Sequence, residues 1–344
     1  MIRLQSYKKS REFYKEPNKN PNILYNFAPD WQDKTIVALK SMDYKKIFRS
    51  ARMRQKIMKA LSFVPDSIMI RLQYLIKLHR LPNLKNPQRF TEKVQLYKMY
   101  YRNDELGRIV DKYEVRNYLK DKGINANFPE LYGVVDRAED IDFAALPKRF
   151  VIKTNDGGGG DNIVICRDKD LLDIPATVKR VNSWLEKKNA NAGREWAYTQ
   201  IAKSRIVVEE FLENKENPEG GLEDYKIFCY DGEPFCIVVD GERYIGHKRN
   251  FYDLEWRNLH IGSDCANFKG DTPRPDNLEQ MLAVASKLSK GFPFVRVDLY
   301  SVMGKVYFGE MTFYPWSGYV QYTPDEFDMR LGEKFDTSTF ISKK

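Results

Sequence analysis

The sequence is poor in the residues that build metal centres and disulfides, and it has no long apolar run. Its 344 residues include three histidines and four cysteines, and no two cysteines have the Cys-x-x-Cys spacing. This excludes a zinc-finger protein and a disulfide scaffold, and it predicts reduced cysteines in the cytoplasm. Because no stretch of about 18 apolar residues occurs, we expect no membrane-spanning helix. No apolar segment follows the basic N-terminus, so we expect no signal peptide.

The charge of the chain is uneven along its length. Residues 1–110 hold 24 Lys and Arg against 9 Asp and Glu, whereas residues 111–344 hold 33 against 39. A basic first part on a mildly acidic body indicates an anionic partner for that part, such as a membrane surface or an acidic glycan. No nucleic-acid-binding motif is present, so nucleic acid is not an expected partner.

The first 60 residues are predicted to form a basic arm. Residues 1–44 mix Pro, Asn and Lys, and residues 45–61 place apolar and basic side chains on opposite sides of a helical wheel. Two interpretations stay open for this amphipathic helix. It packs on the surface of its own domain, or it docks on an anionic membrane and holds the protein at the inner membrane face.

Beyond the arm, the pattern predicts helices first and then strands that alternate with helices. Helices are expected over residues 67–81, 91–99, 111–121, 173–188 and 277–291, the second with Thr91 as its N-cap. Strands are expected over residues 150–154, 162–166, 205–212, 225–230, 234–240, 294–300 and 305–311. An Asp-Gly turn joins the fourth and fifth of these strands. The resulting fold class is α+β, dominated by antiparallel hairpins.

The stretch VIKTNDGGGGDNIVI, residues 151–165, is the strongest local motif. Its four consecutive glycines are Gly157, Gly158, Gly159 and Gly160. P-loops and dinucleotide-binding fingerprints lead into a helix, but this loop leads into a strand. A loop between two strands indicates a flap whose backbone N–H groups face phosphates. The alternative is a hairpin tip without a ligand, but Lys153 on the preceding strand favours a nucleotide because an ammonium suits phosphate oxygens.

Carboxylates on the later strands give the second signal. Strand periodicity places Arg296 on the same face as Asp298, and Thr312 on the same face as Glu310. If the last two strands pair with Asp298 opposite Glu310, the two carboxylates can hold Mg²⁺ against a triphosphate. The alternative is a pair of solvated carboxylates. Earlier strands carry Glu209, Glu210, Asp224 and Lys226, whose carboxylates can accept hydrogen bonds from a ribose or an adenine amino group.

Taken in order, these segments resemble the ATP-grasp superfamily, and more narrowly its TupA-like branch from bacterial teichuronopeptide and capsular polysaccharide gene sets. The resemblance is carried by DKYEVRNYL, FVIKTNDGGGGDNIVI, GREWAY, RIVVEEFL, EDYKIFCYDGEP, KGFPFVRVDLY and VYFGEMTFYPWSG, between residues 83 and 334. It implies two α+β subdomains that clasp ATP. The small subdomain would be residues 126–205 and the large one residues 206–344, after a helical region at residues 61–125.

The resemblance also implies a role for each matching residue. ATP would be bound by Lys112, Lys153, the four flap glycines, Glu209, Glu210, Phe211, Leu212, Asp224 and Lys226. Two Mg²⁺ ions would be held by Asp298, Glu310 and Thr312, the last of which stands where the superfamily commonly has Asn. Arg296 and Lys153 would stabilise the transferred phosphoryl group.

Lys248 and Arg249, in the segment GHKRNFYD, are further catalytic candidates. They would bind a phosphate or an acceptor carboxylate; the alternative is a solvated basic turn. Trp196, Trp316 and nearby tyrosines could stack on a sugar ring or serve in packing.

The reaction implied by the resemblance is ATP-dependent ligation of a carboxylate and an amine through an acyl phosphate. The substrates would be a uronic acid of a bacterial surface polysaccharide or its precursor, and an amino acid or other amine. The alternatives are a glycosyltransferase or an ATP-dependent phosphotransferase of polysaccharide biosynthesis, and a non-catalytic scaffold that binds glycan or membrane. The joint presence of Lys153, Arg296, Asp298 and Glu310 favours the ligase.

Overall fold

The computed structural model describes residues 60–158, 162–185, 193–215 and 217–341. The predicted basic arm and its amphipathic helix lie outside these ranges, except at residues 60 and 61. Gly159 and Gly160 of the glycine loop also lie outside them. Within the described ranges, no helix has the length and apolar character needed to cross a bilayer.

The described chain begins with helices and then alternates strands with helices, as the pattern predicts. The α-helices are α1 (Asp66–Leu78), α2 (Phe90–Tyr100), α3 (Leu106–Val110), α4 (Glu114–Asp121), α5 (Ile174–Leu185), α6 (Trp196–Thr199), α7 (Leu278–Ser289) and α8 (Glu326–Lys334). The strands are β1 (Leu131–Val135), β2 (Phe150–Thr154), β3 (Ile163–Cys166), β4 (Ile206–Glu210), β5 (Asp224–Tyr230), β6 (Glu233–Gly241), β7 (Lys248–Tyr252), β8 (Val295–Val302) and β9 (Lys305–Thr312).

These strands form two antiparallel sheets. One has four strands in the order β1-β4-β2-β3, and the other has five in the order β7-β6-β5-β8-β9. Each sheet has its own apolar core with its own helices. This confirms the predicted α+β class built from hairpins.

The four-stranded sheet is covered on one face by α5. Phe150 and Ile152 alternate with less buried residues along β2, so the apolar side chains share one face. Val181 and Trp184 of α5 are buried in the same core. Lys153 follows Ile152 and therefore lies on the opposite face of the sheet.

The five-stranded sheet is the larger core, and β5 is buried along its whole length because it lies in the middle. Helix α7 packs against β5, β6 and β8 and buries Met281 and Ala285. On the other side, Phe228 of β5 packs on Phe90 of α2, with ring centroids 5.7 Å apart. Phe228 shares a face with Lys226, two residues earlier. The aromatic core therefore ends where a charged region of the sheet begins.

Two predicted helix starts are wrong. Thr91 does not cap α2, because the Glu92 carboxylate accepts the N–H groups of Gln88 and Arg89, while the Thr91 hydroxyl is buried against Asp328. The helix predicted to begin at residue 111 begins at Glu114. The Asp111 side chain instead accepts the N–H groups of residues 113 and 114, as an N-cap does.

One predicted subdomain boundary also shifts. Strand β4 pairs with β1 and β2, so it belongs to the four-stranded sheet. The four-stranded sheet therefore extends past residue 205, where the small subdomain was predicted to end, as far as Glu210. The residues of β2 that pair with β4 lie more than 50 positions earlier in the chain. The local pattern of RIVVEEFL therefore does not reveal which sheet this strand joins.

Gly332 tests the packing of α8 on the start of α2. A Cβ atom at this position would lie 2.0 Å from the carbonyl oxygen of Gln88. We expect Gly332→Ala to lower the free energy of unfolding by about 2 kcal/mol, because the two segments must separate to admit the methyl group. Urea unfolding measures the change. Gly270→Ala is the control, since no atom lies within 4 Å of its Cβ position. Equal losses in the two variants would contradict the packing.

Candidate functional site

A row of charged side chains crosses one face of the five-stranded sheet. Residues directly opposite each other on neighbouring strands share a face of the sheet. The row runs from β7 to β9 in the order Arg249, Asp240, Asp224, Lys226, Asp298 and Glu310. All of these side chains are buried except Glu310, which is partly exposed. Because buried charges require partners, the contacts within the row determine what it can bind.

Arg296 is the most connected member of this region. Its Nε donates to Asp298 Oδ1 at 2.7 Å and its Nη2 donates to Asp298 Oδ2 at 2.6 Å. Nη2 also lies 3.3 Å from Glu310 Oε1 and 3.2 Å from Thr312 Oγ1. Burial works to lower the pKa of Arg296, but the charges of Asp298 and Glu310 outweigh it and raise that pKa. The guanidinium is therefore a permanent charge between the two predicted metal carboxylates.

Lys226 provides the second cation of the region. Its Nζ donates to Asp224 Oδ2 at 2.6 Å and to Asp298 Oδ2 at 2.7 Å. Burial raises the pKa of Asp298 above its usual value, although Arg296 and Lys226 both act to lower it. Asp224 Oδ1 is buried and has no hydrogen-bond partner among the residues that the structure describes. This oxygen is open to a donor group of a ligand.

Lys112 connects the glycine loop to β9. Its Nζ donates to the carbonyl oxygen of Gly157 at 2.5 Å and lies 3.4 Å from Glu310 Oε2. Burial works to raise the pKa of Glu310, but Lys112 and Arg296 hold it well below its usual value. Glu310 is therefore ionised at neutral pH. The contact also brings the described part of the loop, Gly157 and Gly158, to the edge of the charged row.

Lys153 reaches the site from the four-stranded sheet. Its ammonium is hydrogen-bonded to Glu209 Oε1, and Arg116 Nη2 donates to Glu209 Oε2 at 3.2 Å. Both oxygens of the buried Glu209 carboxylate are thus occupied by cations. Glu209 orients Lys153, a role that the strand pattern alone did not reveal. Arg116 was also missed, because on α4 it has the spacing of an ordinary exposed helix residue.

The two sheets enclose a cleft of about 2130 Å³. Most of the predicted site residues line it: Lys112, Lys153, Gly157, Gly158, Glu209, Glu210, Phe211, Leu212, Asp224, Lys226, Arg249, Arg296, Asp298, Glu310 and Thr312. Lys248 does not line it. Lys248 and Arg249 are neighbours on β7, so their side chains leave opposite faces of the strand. Of this pair, only Arg249 is placed to contact a ligand in the cleft.

Arg249 lies in a strand and not in a solvated turn, so that alternative is wrong. Its Nε donates to Asp240 Oδ1 at 2.6 Å and its Nη1 donates to Asp264 Oδ1 at 2.9 Å. Burial works to raise the pKa of Asp240, but the hydrogen bonds from Arg249 lower it to about 2. The Trp316 ring lies 4.3 Å from the Arg249 guanidinium and 5.2 Å from that of Arg296. This ring packs on two arginines. Asp240 was missed because it ends an otherwise apolar strand.

The predicted facing of Asp298 and Glu310 is confirmed by the register of β8 and β9. Thr312 Oγ1 donates to Glu310 Oε1 at 3.1 Å, so three oxygen-bearing side chains are adjacent. Mg²⁺ prefers such oxygens, and it is bound by one or two carboxylates together with substrate phosphates and water. Among the described residues, no cluster of three or more His, Cys, Asp or Glu could hold a metal. The set fits an ion that arrives with a nucleotide.

Comparison with known proteins gives one family and several similar structures. The family model described as "TupA-like ATPgrasp" matches residues 92–336. The D-alanine–D-alanine ligase from Bacillus anthracis is 21% identical, over 60% of this chain and 57% of that one, with a TM-score of 0.36. The corresponding ligase from Helicobacter pylori is 14% identical, over 66% and 61%, with a TM-score of 0.39.

A third similar structure is the ATP-grasp ligase PsnB, solved with a phosphomimetic variant of its minimal precursor, Mg and ADP. It is 11% identical, over 77% of this chain and 67% of that one, with a TM-score of 0.37. The chain spans less than two thirds of the length of the two D-alanine ligases. No curated protein shows significant sequence similarity to it.

Arg296→Met tests the buried charge network. We expect it to lower the free energy of unfolding by about 3 kcal/mol, because it leaves the buried Asp298 carboxylate with one cation in place of two. Urea unfolding followed by tryptophan fluorescence measures the loss. The control is Arg257→Met, whose side chain is 74% exposed and pairs with Asp253 and Glu255. Its expected cost is below about 1 kcal/mol. A loss at Arg296 no greater than the control would contradict the network.

Proposed function

This chain belongs to the TupA-like family of ATP-grasp ligases, and we propose that it joins a carboxylate to an amine through an acyl phosphate, at the expense of ATP. The observation that carries the proposal is the position of Lys112. Its ammonium contacts both the flap carbonyl of Gly157 and the Glu310 carboxylate. A nucleotide triphosphate between flap and carboxylates would meet this cation first. The two sheets are then the two ATP-grasp subdomains.

In this proposal, the cations of the cleft bind the phosphates of ATP. Lys112 and Lys153 would exchange their present carboxylate partners for phosphate oxygens, which are equally anionic. The N–H groups of the flap glycines would cover the phosphates. Glu210 to Leu212 would meet the adenine, and Asp224, which has one unpaired oxygen, would accept a hydrogen bond from the ribose. Two Mg²⁺ ions would be held by Asp298, Glu310 and Thr312. These ions would neutralise negative charge on the phosphates.

The chemistry has two steps. A carboxylate oxygen of the first substrate attacks the γ-phosphorus of ATP, the bond to the bridging oxygen breaks, and ADP leaves. The amine then attacks the carbonyl carbon of the acyl phosphate, and phosphate leaves as the amide forms. Arg296, buried beside both metal carboxylates, stabilises the negative charge on the transferred group. The flap closes to exclude water, because water would hydrolyse the acyl phosphate.

The proposed carboxylate is a uronic acid of a bacterial surface polysaccharide or its precursor, and the proposed amine is an amino acid. Support comes from the TupA-like family assignment and from a cleft large enough for a nucleotide and a sugar together. The buried Arg249, held by Asp240 and Asp264, would lie near the acceptor carboxylate.

Hydroxylamine trapping tests the ligase function. Hydroxylamine converts an acyl phosphate into a hydroxamate, so Mg·ATP, a panel of uronic acids and hydroxylamine should give ADP and hydroxamate in equal amounts. Lys112→Met is expected to lower kcat/KM for ATP by about tenfold or more, because one charged hydrogen bond to phosphate is lost. Lys120→Met, at an exposed position on α4, is the matched control. ADP release with a phosphorylated sugar and no hydroxamate would show a phosphotransferase instead.

We also propose that the protein acts in the cytoplasm, with its basic arm on the anionic inner membrane face. The arm is part of the 110-residue segment with 24 Lys and Arg against 9 Asp and Glu. Basic residues near an anionic bilayer each add about 1 kcal/mol of binding. The full chain should float with vesicles that contain phosphatidylserine, and a chain lacking residues 1–60 should not. Equal flotation of both chains would reject the proposal.

A further inference from the structure

The chain leaves β9 through a turn of unusual backbone conformation. Trp316, Ser317 and Gly318 have φ angles of 46°, 60° and 68°. Only glycine adopts this left-handed region freely, and each other residue costs about 1–2 kcal/mol there. Such strain persists where the surrounding structure enforces it, and it is concentrated at functional sites. Two consecutive non-glycine residues in this conformation therefore require contacts that clamp the backbone in place, and they indicate a functional role for the turn.

Helix α2 provides the clamp. Gln95 Nε2 donates to the carbonyl oxygens of Gly318 at 3.0 Å and Ser317 at 3.3 Å. Lys98 Nζ lies 2.5 Å from the Ser317 carbonyl oxygen, 3.1 Å from Gln95 Oε1 and 2.8 Å from the Ser317 hydroxyl. Lys98 is 1% exposed. A buried amine thus touches both the backbone and the hydroxyl of the strained serine.

Lys98 Nζ donates in all three of its contacts. The Ser317 carbonyl oxygen and Gln95 Oε1 are acceptors only, and they use two N–H groups. The third contact is with the Ser317 hydroxyl oxygen, and when Lys98 loses its proton the lone pair of Nζ is left facing that hydroxyl. Burial lowers the pKa of Lys98 to about 7, and Lys77 lowers it as well, whereas Glu195 acts to raise it. The Tyr319 ring, 4.3 Å from Nζ, covers the remaining side.

The Ser317 hydroxyl belongs to the wall of the cleft. Ser317 and Glu195 both line the cleft, and a Cβ at Gly193 would lie 2.9 Å from the Ser317 hydroxyl and 2.9 Å from Glu195 Oε1. Its neighbour Trp316 contacts the guanidinium of Arg296, the residue proposed to stabilise the transferred phosphoryl group. A hydroxyl on this wall, hydrogen-bonded to a buried amine, resembles the pairing of a nucleophile or proton carrier with its base.

We propose that Ser317 and Lys98 form a proton relay that deprotonates the acceptor amine; this rests on the ligase function proposed above. The substrate ammonium gives a proton to Ser317 Oγ while the Ser317 hydroxyl gives its own to Lys98 Nζ. The freed lone pair of the amine forms the C–N bond. The C–O bond to phosphate breaks, and the departing phosphate takes the remaining surplus proton from nitrogen. Lys98 later releases its proton to solvent.

A comparison of two acceptors tests the relay in turnover. Glycine is an ammonium ion at neutral pH and needs a base, whereas hydroxylamine is already unprotonated. With ATP and D-glucuronate, Ser317→Ala and Lys98→Met should lower the rate of amide formation with glycine by about 100-fold. Hydroxamate formation should change by less than about twofold, because proton removal contributes nothing there. Lys93→Met, on the same helix, is the matched control and should leave both rates unchanged.

The outcomes separate the two proposals. Absence of hydroxamate from the wild-type protein with every uronic acid would overturn the ligase function. If the wild-type protein forms hydroxamate, the relay alone would be overturned by either of two results. The Ser317→Ala and Lys98→Met variants would lose equal rate with both acceptors, or they would lose no rate with glycine. A clamp that only holds the turn would disturb both acceptors alike.

A substrate-independent experiment probes the same pair. Phenylmethanesulfonyl fluoride labels serine hydroxyls that a neighbouring base activates, and peptide mass mapping locates the label. We expect Ser317 to be labelled in the wild-type protein, at a rate that rises through about pH 7 as Lys98 loses its proton. Lys98→Met should lower this rate at least about tenfold. Glu195→Gln should move the midpoint to lower pH, because Glu195 favours the charged lysine. An unlabelled Ser317, or equal labelling in Lys98→Met, would overturn the proposal.

Discussion

The structure depends on the pairing of charges that are buried within one β-sheet. Asp298 lies between Arg296 and Lys226, with 2.6 Å and 2.7 Å contacts to its Oδ2. An isolated carboxylate at this depth would cost several kcal/mol, so the cations must be adjacent. Arg296 reaches Asp298 within β8, whereas Lys226 reaches it only in one register of β5 and β8, because a slip of one residue would turn every side chain to the other face. The register that completes the apolar core therefore also assembles the site.

This pairing also determines how the cleft can receive an anionic ligand. Each cation that faces the cleft already has a carboxylate or carbonyl partner, as Lys112 has Glu310 and Lys153 has Glu209. A triphosphate could replace these partners, and the buried Glu209 would keep Arg116 as its cation. Lys112 contacts Gly157 and Glu310 together, so an anion that binds this ammonium would compete with both contacts.

Much of the fold and half of the site follow from local patterns. The hairpin of β5 and β6, the strand after the glycine loop and the facing of Asp298 and Glu310 all follow from two-residue periodicity and turn chemistry. Strand β7 does not, because Arg249 has the sequence character of a solvated residue, and only its pairing with Asp240 on another strand accounts for its burial. Helix α8 and strand β1 were missed for the same reason: their signals are short, and distant contacts stabilise them.

The turn after β9 contains residues that lower the stability of the fold. Lys98 reads in the sequence as an ordinary helix lysine, and nothing local places it beside Ser317. A methionine at position 98 would avoid the burial of an amine, and a glycine at position 317 would avoid the left-handed strain. Neither Lys98 nor Ser317 belongs to the apolar core of β8 and β9, which includes Val297, Leu299 and Met311. The chain therefore has two destabilising residues, Lys98 and Ser317, which meet at a single hydroxyl in the wall of the cleft. A proton relay gives a physical reason for both.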